Sequence, residues 1–441
     1  MAFKVDSQTL NDLNIFNSSS GKDIFSLFNK TRTRGGAEIL KDMFLYPISQ
    51  ANEIASRVSA IKLFKREQLE FPFSTSVLDT IEFYLSNTDE RTKLSGFEDN
   101  LKRKFDQFIG SNTEHKQIYS GIEDTLQFIR SFNQFILRFK SKVSDVEFDH
   151  NFKKIYSILT SESFRKLNTE EGKQKWSYEE AVKYDESLRF DLRDDILKLL
   201  NYAYEIDVFI AVAEVSDSMK FNFAEINTSN FNTIELKGVY HPLVSNAVSN
   251  DVLIDENNNI IFLTGANMAG KSTFMKTFSI AMYLAHIGFP VPVEQMRFSI
   301  QDGMFTTINL ADSLNMGFSH FYAEVSRVKK IAQEVNTHDR LIVVFDELFR
   351  GTNVKDAYDA TIAVISAFAS KRKCTFIVST HIVEAGEVLK KLHDNIKFLY
   401  LPTLMKGALP EYTYKVKEGI TEDRHGMLII KNENILDILK S

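Results

Sequence analysis

The chain is poor in several things at once. Among 441 residues it has one cysteine, Cys374, one tryptophan and seven prolines. A lone cysteine excludes an internal disulfide and a thiolate metal cluster. Long hydrophobic runs are missing too. Apolar stretches such as Leu341–Phe345 and Ile280–Leu284 are far shorter than the roughly 20 residues a membrane span needs, so no membrane helix is expected. The amino terminus, MAFKVDSQTLNDL, carries neither the basic flank nor the apolar stretch of an export signal, which makes the cytoplasm the expected compartment. Positive charge is not in excess: 53 basic and 59 acidic residues give a net −6. Residues 1–235 hold 31 basic and 37 acidic residues, and residues 236–441 hold 22 of each. A strongly basic nucleic-acid binder is thereby excluded, and any contact with nucleic acid must come from local patches. The remaining composition, 44% hydrophobic and 25% charged, is that of a folded chain rather than a disordered or collagen-like one. At roughly 150 residues per domain, two to four domains are expected.

Only two prolines, Pro47 and Pro72, interrupt the first 235 residues, where apolar residues recur at three- and four-residue spacing. Leu126, Ile129, Phe132, Phe135, Ile136 and Phe139 fall on one stripe of a long helix, and Asp194 to Phe221 repeats the pattern through Leu197, Leu200, Tyr204, Val208, Ala211 and Val215. This part is read as all-helical, with the chain turning back between long antiparallel helices in the more polar stretch from Ser144 to Asp185. Many of the 37 phenylalanines lie here and are read as core. After Asn227 short β-branched runs appear: Thr233–Val239, Ile260–Thr264, Phe305–Asn309, Leu341–Asp346, Thr375–Thr380 and Lys397–Leu401. Helical patterns at Ser272–Ile287 and Tyr322–Val335 separate some of them, which predicts a largely parallel sheet flanked by helices. The reading is therefore multidomain: an all-α domain over residues 1–235 followed by an α/β domain over 236–441.

The strongest motif is Gly265-Ala-Asn-Met-Ala-Gly270-Lys271-Ser272, a G-x-x-x-x-G-K-[ST] match after an apolar run and before a helical pattern. Glycines let backbone N–H groups curl round phosphates, Lys271 reaches the β/γ oxygens and Ser272 supplies a ligand for Mg²⁺. The bland alternative is a glycine-rich connecting loop. Downstream, Leu341–Phe345 runs into Asp346 and Glu347. Asp346 is placed to support Mg²⁺ and Glu347 to orient or deprotonate an attacking water, against the alternative of two solvated acids at a strand end. Ser379-Thr380-His381 closes another apolar run, which puts His381 on the edge where open α/β sheets bind ligands. It would touch the γ-phosphate or hold the water, though a lone histidine is often merely structural.

These pieces occur in the order and texture of the MutS family of DNA mismatch-repair ATPases. His241-Pro242 resembles the His-Pro element before its ATPase, and Thr264–Thr273 its TGPNMGGKST loop. Asp346-Glu347-Leu-Phe-Arg350-Gly351-Thr352 is similar to its DEIGRGT segment. Ala311-Asp-Ser-Leu-Asn-Met-Gly317-Phe-Ser319-His-Phe321-Tyr-Ala-Glu324 resembles its signature loop, ADDLASGRSTFMVE. Towards the start, Asn14-Ile15-Phe16, Ser26–Thr31, Gly35-Gly36 and Leu40 are similar to the entry of its helical core. The resemblance implies an ABC-type P-loop ATPase domain behind a helical core-and-lever domain. It implies ATP and Mg²⁺ as ligands, DNA as a partner, and pairing with itself or a related ATPase. Ser319 would then donate to the γ-phosphate held by the other subunit, while Gly265, Asn267, Met268, Gly270, Thr273 and Arg350 match positions lining or bracing the site. His381, Glu347 and Lys271 would carry catalysis, with Ser272 and Asp346 on the metal.

Departures shape the expectation as well. By the resemblance the sequence is expected to open at the helical core, with no room for the family's mismatch-reading and connector domains, and its helical half is expected to be too short for a full DNA clamp. Its end, soon after Tyr414, Gly419 and Gly426, would trim the dimerising helices. Ala266 and Ala269 stand where the loop has proline and glycine, and an alanine at a glycine site restricts φ. Val252 is the approximate match to an aromatic residue for adenine. The expected function is ATP hydrolysis at a composite dimer site coupled to DNA in mismatch repair or a related repair process. The rivals are a protein that binds branched or recombining DNA, and a regulatory ATPase partner without DNA affinity. Lys102-Arg103-Lys104, and Arg138 with Lys140 and Lys142, are the basic clusters that would track phosphates if they are more than solvated faces.

Overall fold

A computed structural model describes residues 3–16, 21–89, 93–94, 112–142, 150–169, 177–229, 231–308, 320–350, 352–406, 409–421 and 438. The chain forms two compact units that are not consecutive in sequence. One comprises Met1–Asn29, Lys41–Val58 and Glu214–Ser441, the other Lys30–Leu40 and Ser59–Ala213. The boundary expected near residue 235 falls inside the first of these.

The first unit is built on two sheets. Its strands in chain order are β1 Lys4–Val5, β2 Glu225–Ile226, β3 Ile234–Val239, β4 Asn250–Ile254, β5 Ile260–Gly265, β6 Gln295–Phe298 and β7 Gly303–Thr307. They continue with β8 Leu341–Phe345, β9 Thr375–Ser379, β10 Ile396–Leu401, β11 Thr403–Lys406, β12 Leu409–Tyr412 and β13 Lys417–Glu418. The larger sheet has the order β1-β7-β8-β9-β5-β10-β13, parallel throughout except for β13. All residues of β5, β8 and β9 are buried, as expected of strands covered on both faces by crossover helices. That is why they read in the sequence as continuous apolar runs instead of alternating ones. The helices following β5, β8 and β9 are Lys271–Ile287, Val354–Ala369 and Val383–Leu392. A four-stranded sheet, β2-β6-β3-β4, and a β11–β12 hairpin complete the unit.

The second unit is helical. In the helix Asn112–Lys142, Leu126, Ile129, Phe132, Phe135, Ile136 and Phe139 are all buried, so the sequence stripe is its core face. The Phe139 ring lies 4.4 Å from that of Phe152 and stacks at 5.7 Å on that of Phe64. In the polar stretch read as a turning segment stand three further helices, His150–Leu159, Glu162–Thr169 and Tyr178–Glu186. Each spends only two or three residues on burial, Phe152, Ile155 and Leu159 in the first, which is too thin a stripe to stand out in a charged context. The last continues into a π-helical turn, Ser187–Asp191, where Asp185 and Arg189 form a buried ion pair at 2.5 Å and the Tyr84 hydroxyl donates to Asp185 at 2.9 Å.

The first 235 residues are therefore not wholly helical: β1 and β2 are strands, and β3 begins at Ile234. Two-residue strands carry no period that a sequence could display. Among the described residues, no helix is long and apolar enough to cross a membrane.

Candidate functional site

The site lies at the carboxyl ends of the parallel strands, where open α/β sheets bind ligands. β5 delivers the chain to Gly265, whose φ of 149° is open to glycine and where a Cβ would sit 3.1 Å from the Leu401 carbonyl oxygen. The loop turns again through Met268 (φ 68°) and Gly270 (φ 101°), the latter capping the helix Lys271–Ile287. Neither Ala266 nor Ala269 has a positive φ, so the alanines at proline and glycine sites impose no backbone restriction. Ala269 is buried beneath the loop instead. No side chain caps the helix, which leaves its first-turn N–H groups to the loop side.

Lys271 is 6% exposed, and its ammonium donates to the carbonyls of Gly265 (2.9 Å) and Ala266 (3.2 Å). Burial pushes its pKa down, against the opposing pull of Asp346 and Glu347. Two neighbouring strands then face the loop, β8 leading into two acids and β9 ending in a serine. From the end of β8, the Asp346 carboxylate accepts the Ser272 hydroxyl on one oxygen and the Ser379 hydroxyl, at 2.5 Å, on the other. Ser379 also accepts the Glu347 N–H at 3.0 Å, so one hydroxyl at the end of β9 sets both acids. Glu347 has φ 52°, and its carboxylate is held by His381 Nε2 at 2.7 Å and Arg350 Nη1 at 3.0 Å. Burial raises the Glu347 pKa, but the hydrogen bonds and charges of His381 and Arg350 outweigh it and leave the pKa lowered.

Lys271, Ser272, Asp346, Glu347, Arg350 and His381 are thus brought together. Asn267, Met268, Gly270 and Thr273 line an adjoining cleft of about 550 Å³ with Lys271 and Ser272. Ser319 and Gly317 lie outside the described residues, as do Gly351, Gly426 and Lys102-Arg103-Lys104. Val252 is not at the cleft: it is 3% exposed on β4, because alternation along that strand turns it into the core. The cleft wall is instead Val244, Ala247, Val248 and Tyr414. Tyr414 is 45% exposed, and its Cδ1 would lie 3.1 Å from a Cβ on Gly270. Asn250 anchors it, donating to the Tyr414 carbonyl at 3.0 Å and accepting the Val416 N–H at 2.8 Å. Nothing local in the sequence marks Tyr414, which lies far down the chain. Ser379 was within reach, being the first residue of the Ser-Thr-His run. His241 also lines the cleft, and burial, with Lys276 nearby, lowers its pKa to about 4.

A buried strand, a glycine loop and an uncapped helix, with a serine–aspartate contact at the strand ends, make this a P-loop α/β domain. Residues 261–438 match the sequence model of MutS domain V. That segment is thus similar to MutS domain V, and most of the chain is similar to MutS proteins. The chain is 23% identical to the DNA mismatch repair protein MutS of Petrotoga mobilis, over 97% of this chain and 62% of that protein. With the protein of the same name from Thermotoga sp. (strain RQ2) it shares 25% over 98% and 64%, and with that of Fusobacterium nucleatum 27% over 87% and 44%. The chain thus spans less than two thirds of the length of these relatives.

Proposed function

We propose that this chain binds and hydrolyses ATP with Mg²⁺ at the Gly265–Ser272 loop, in a site completed by a second subunit. We further propose that the cycle is coupled to DNA in mismatch repair or a related repair process. The observation that carries the reading is the convergence of Ser272, Asp346 and Ser379 on one side and Glu347, His381 and Arg350 on the other, beside Lys271. The Ser272 hydroxyl and the Asp346 carboxylate are hard oxygen donors already in contact, and they suit Mg²⁺, which takes one or two carboxylates together with phosphate oxygens and water. When bound, Mg²⁺ neutralises phosphate charge.

The protein's own groups divide the remaining work. Lys271 exchanges its carbonyl contacts for β/γ oxygens, and the first-turn N–H groups of its helix face the phosphates. Glu347, kept ionised by His381 and Arg350, accepts a hydrogen bond from the attacking water and orients it; its lowered pKa suits orientation better than full proton removal. His381, tied to Glu347, reaches towards the γ-phosphate. Tyr414 gives the cleft an exposed ring against which a base would stack. Family resemblance supplies Ser319 as the donor into the partner's site and DNA as the coupled ligand.

The test is steady-state ATPase activity with and without homoduplex, mismatched and branched DNA, wild type beside Lys271→Ala. Stimulation by one DNA form, lost in the variant, is expected. Equal hydrolysis by the two proteins would overturn the site, and activity indifferent to every DNA would remove the coupling.

A further inference from the structure

The amino-terminal twelve residues do something that a short edge strand alone cannot. β1 pairs with β7 at only two positions, Lys4 with Gly303 and Val5 with Met304. Beyond Met304 the outer edge of β7 would present unpaired backbone groups, which a buried strand cannot leave unsatisfied. Side chains take over the ladder. The Thr306 N–H donates to the Thr9 hydroxyl at 3.0 Å, and the Ile308 N–H donates to the Asp12 carboxylate at 2.9 Å. The same Asp12 oxygen accepts the Thr306 hydroxyl at 2.7 Å. The Thr306 carbonyl accepts Arg327 Nη2 at 2.7 Å, and Arg327 is paired in turn with Asp6. Asp12 is 1% exposed and Thr9 is fully buried, so these are interior contacts.

The opposite edge of the same three residues meets the site. The Thr307 carbonyl accepts the Asp346 N–H at 2.9 Å, and Thr307 lines a pocket of about 280 Å³ with Ser272, Asp346 and Glu347. The Thr307 hydroxyl accepts from Arg327 Nε at 3.2 Å. Asp346 is therefore hung on a strand end whose outer side is fixed by Thr9, Asp12 and the Asp6–Arg327 pair.

We propose that the helix Ser7–Asp12 and its Asp6 cap form a positioning bracket that, through Thr306–Ile308, sets Asp346 for the divalent cation. This rests on the Mg·ATP reading above. A structural role alone would lower stability without touching the metal. A positioning role changes how much Mg²⁺ strengthens nucleotide binding, because Ser272 and Asp346 must stay within a few tenths of an ångström of a metal-competent geometry.

The experiment is equilibrium binding of a fluorescent ATP analogue to the full chain in Mg²⁺ and in EDTA, for wild type, Asp346→Asn, Asp12→Asn, Thr9→Val and Thr9→Ser. Wild type is expected to bind more tightly with Mg²⁺, and Asp346→Asn to lose that gain. Asp12→Asn should lose most of it, roughly tenfold in the Mg²⁺ arm, with EDTA binding unchanged; Thr9→Val should lose a smaller part and Thr9→Ser none. Thr9→Val keeps the shape of the side chain and serves if Asp12→Asn does not fold. A full Mg²⁺ gain in folded Asp12→Asn and Thr9→Val, or equal losses in both arms, overturns the bracket and leaves the nucleotide site standing. If wild type gains nothing from Mg²⁺, or Asp346→Asn keeps the gain, the Mg·ATP reading fails and the bracket falls with it.

Discussion

Glu347 and His286 show how differently two polar residues are kept. Glu347 is partly exposed, held by His381 and Arg350, and faces a cleft. Replacing it with Gln preserves shape and removes charge, so ATP binding should persist while turnover falls by roughly 10²–10⁴. Nucleotide binding and single-turnover hydrolysis measured on one preparation check this, and wild-type turnover would remove Glu347 from the mechanism. His286 has no exposure. It bonds the Met282 carbonyl through Nδ1 at 2.7 Å, which makes Nδ1 the donor, and accepts the Gln301 N–H on Nε2 at 3.0 Å. The ring is therefore neutral, and desolvation lowers its pKa from 6.5 to about 4. Since the unfolded chain takes up this proton first, the stabilisation is complete above pH 6.5 and is lost as the pH falls towards 4. Urea unfolding should show stability falling by about 1.4 kcal/mol per pH unit from this histidine within that window. A His286→Phe variant should have the shallower slope, and an identical slope would contradict the assignment.

At the level of the element, the loop between β5 and its helix can be tested glycine by glycine. Gly270 has φ 101° and would place a Cβ 3.1 Å from the Tyr414 ring, so Gly270→Ala meets both backbone strain and a wall of the cleft. It should weaken nucleotide binding at least tenfold, equivalent to about 1.4 kcal/mol. Ala269→Gly should bind like wild type and lose about 1–2 kcal/mol of stability, because it loosens the unfolded chain and removes a buried methyl group. Fluorescent-nucleotide titration and thermal melting separate these outcomes; equal binding by the two variants would contradict the geometry. The sequence made this element legible because its spacing rule is local: eight residues, an apolar run before and a helical period after. β5, β8 and β9 were legible for the related reason that doubly covered strands are continuously apolar. What stayed hidden is made of distant or brief partners. β1 has two residues, Tyr414 reaches the cleft through Asn250, and Val252 matched a family position by spacing while strand alternation turned it inward.

For the molecule as a whole, charge decides what a contact with DNA must look like. With a net −6 and 37 acids among the first 235 residues, there is no broad positive field to hold a duplex, so affinity has to come from a few placed cations. Arg138, Lys140 and Lys142 are exposed along the carboxyl-terminal end of the helix Asn112–Lys142, and Lys140 lies 4.2 Å over the Tyr156 ring. The alternating spacing of the three spreads them round that end, so they form a short cluster rather than a stripe. If all three meet phosphates, changing them to Gln should reduce the slope of log affinity against log salt by about 0.9 per lost contact, or nearly 3 together. The loss should be similar for every sequence of one DNA form, since phosphate contacts position without reading bases. DNA-independent ATPase activity should be unchanged, because none of the three lines the cleft or the adjoining pocket. Fluorescence anisotropy from 50 to 300 mM salt, a range within which such contacts are strongly screened at roughly one Debye length, measures the slope directly. An unaltered slope in the triple variant would return these cations to the solvated face and leave DNA coupling to other residues.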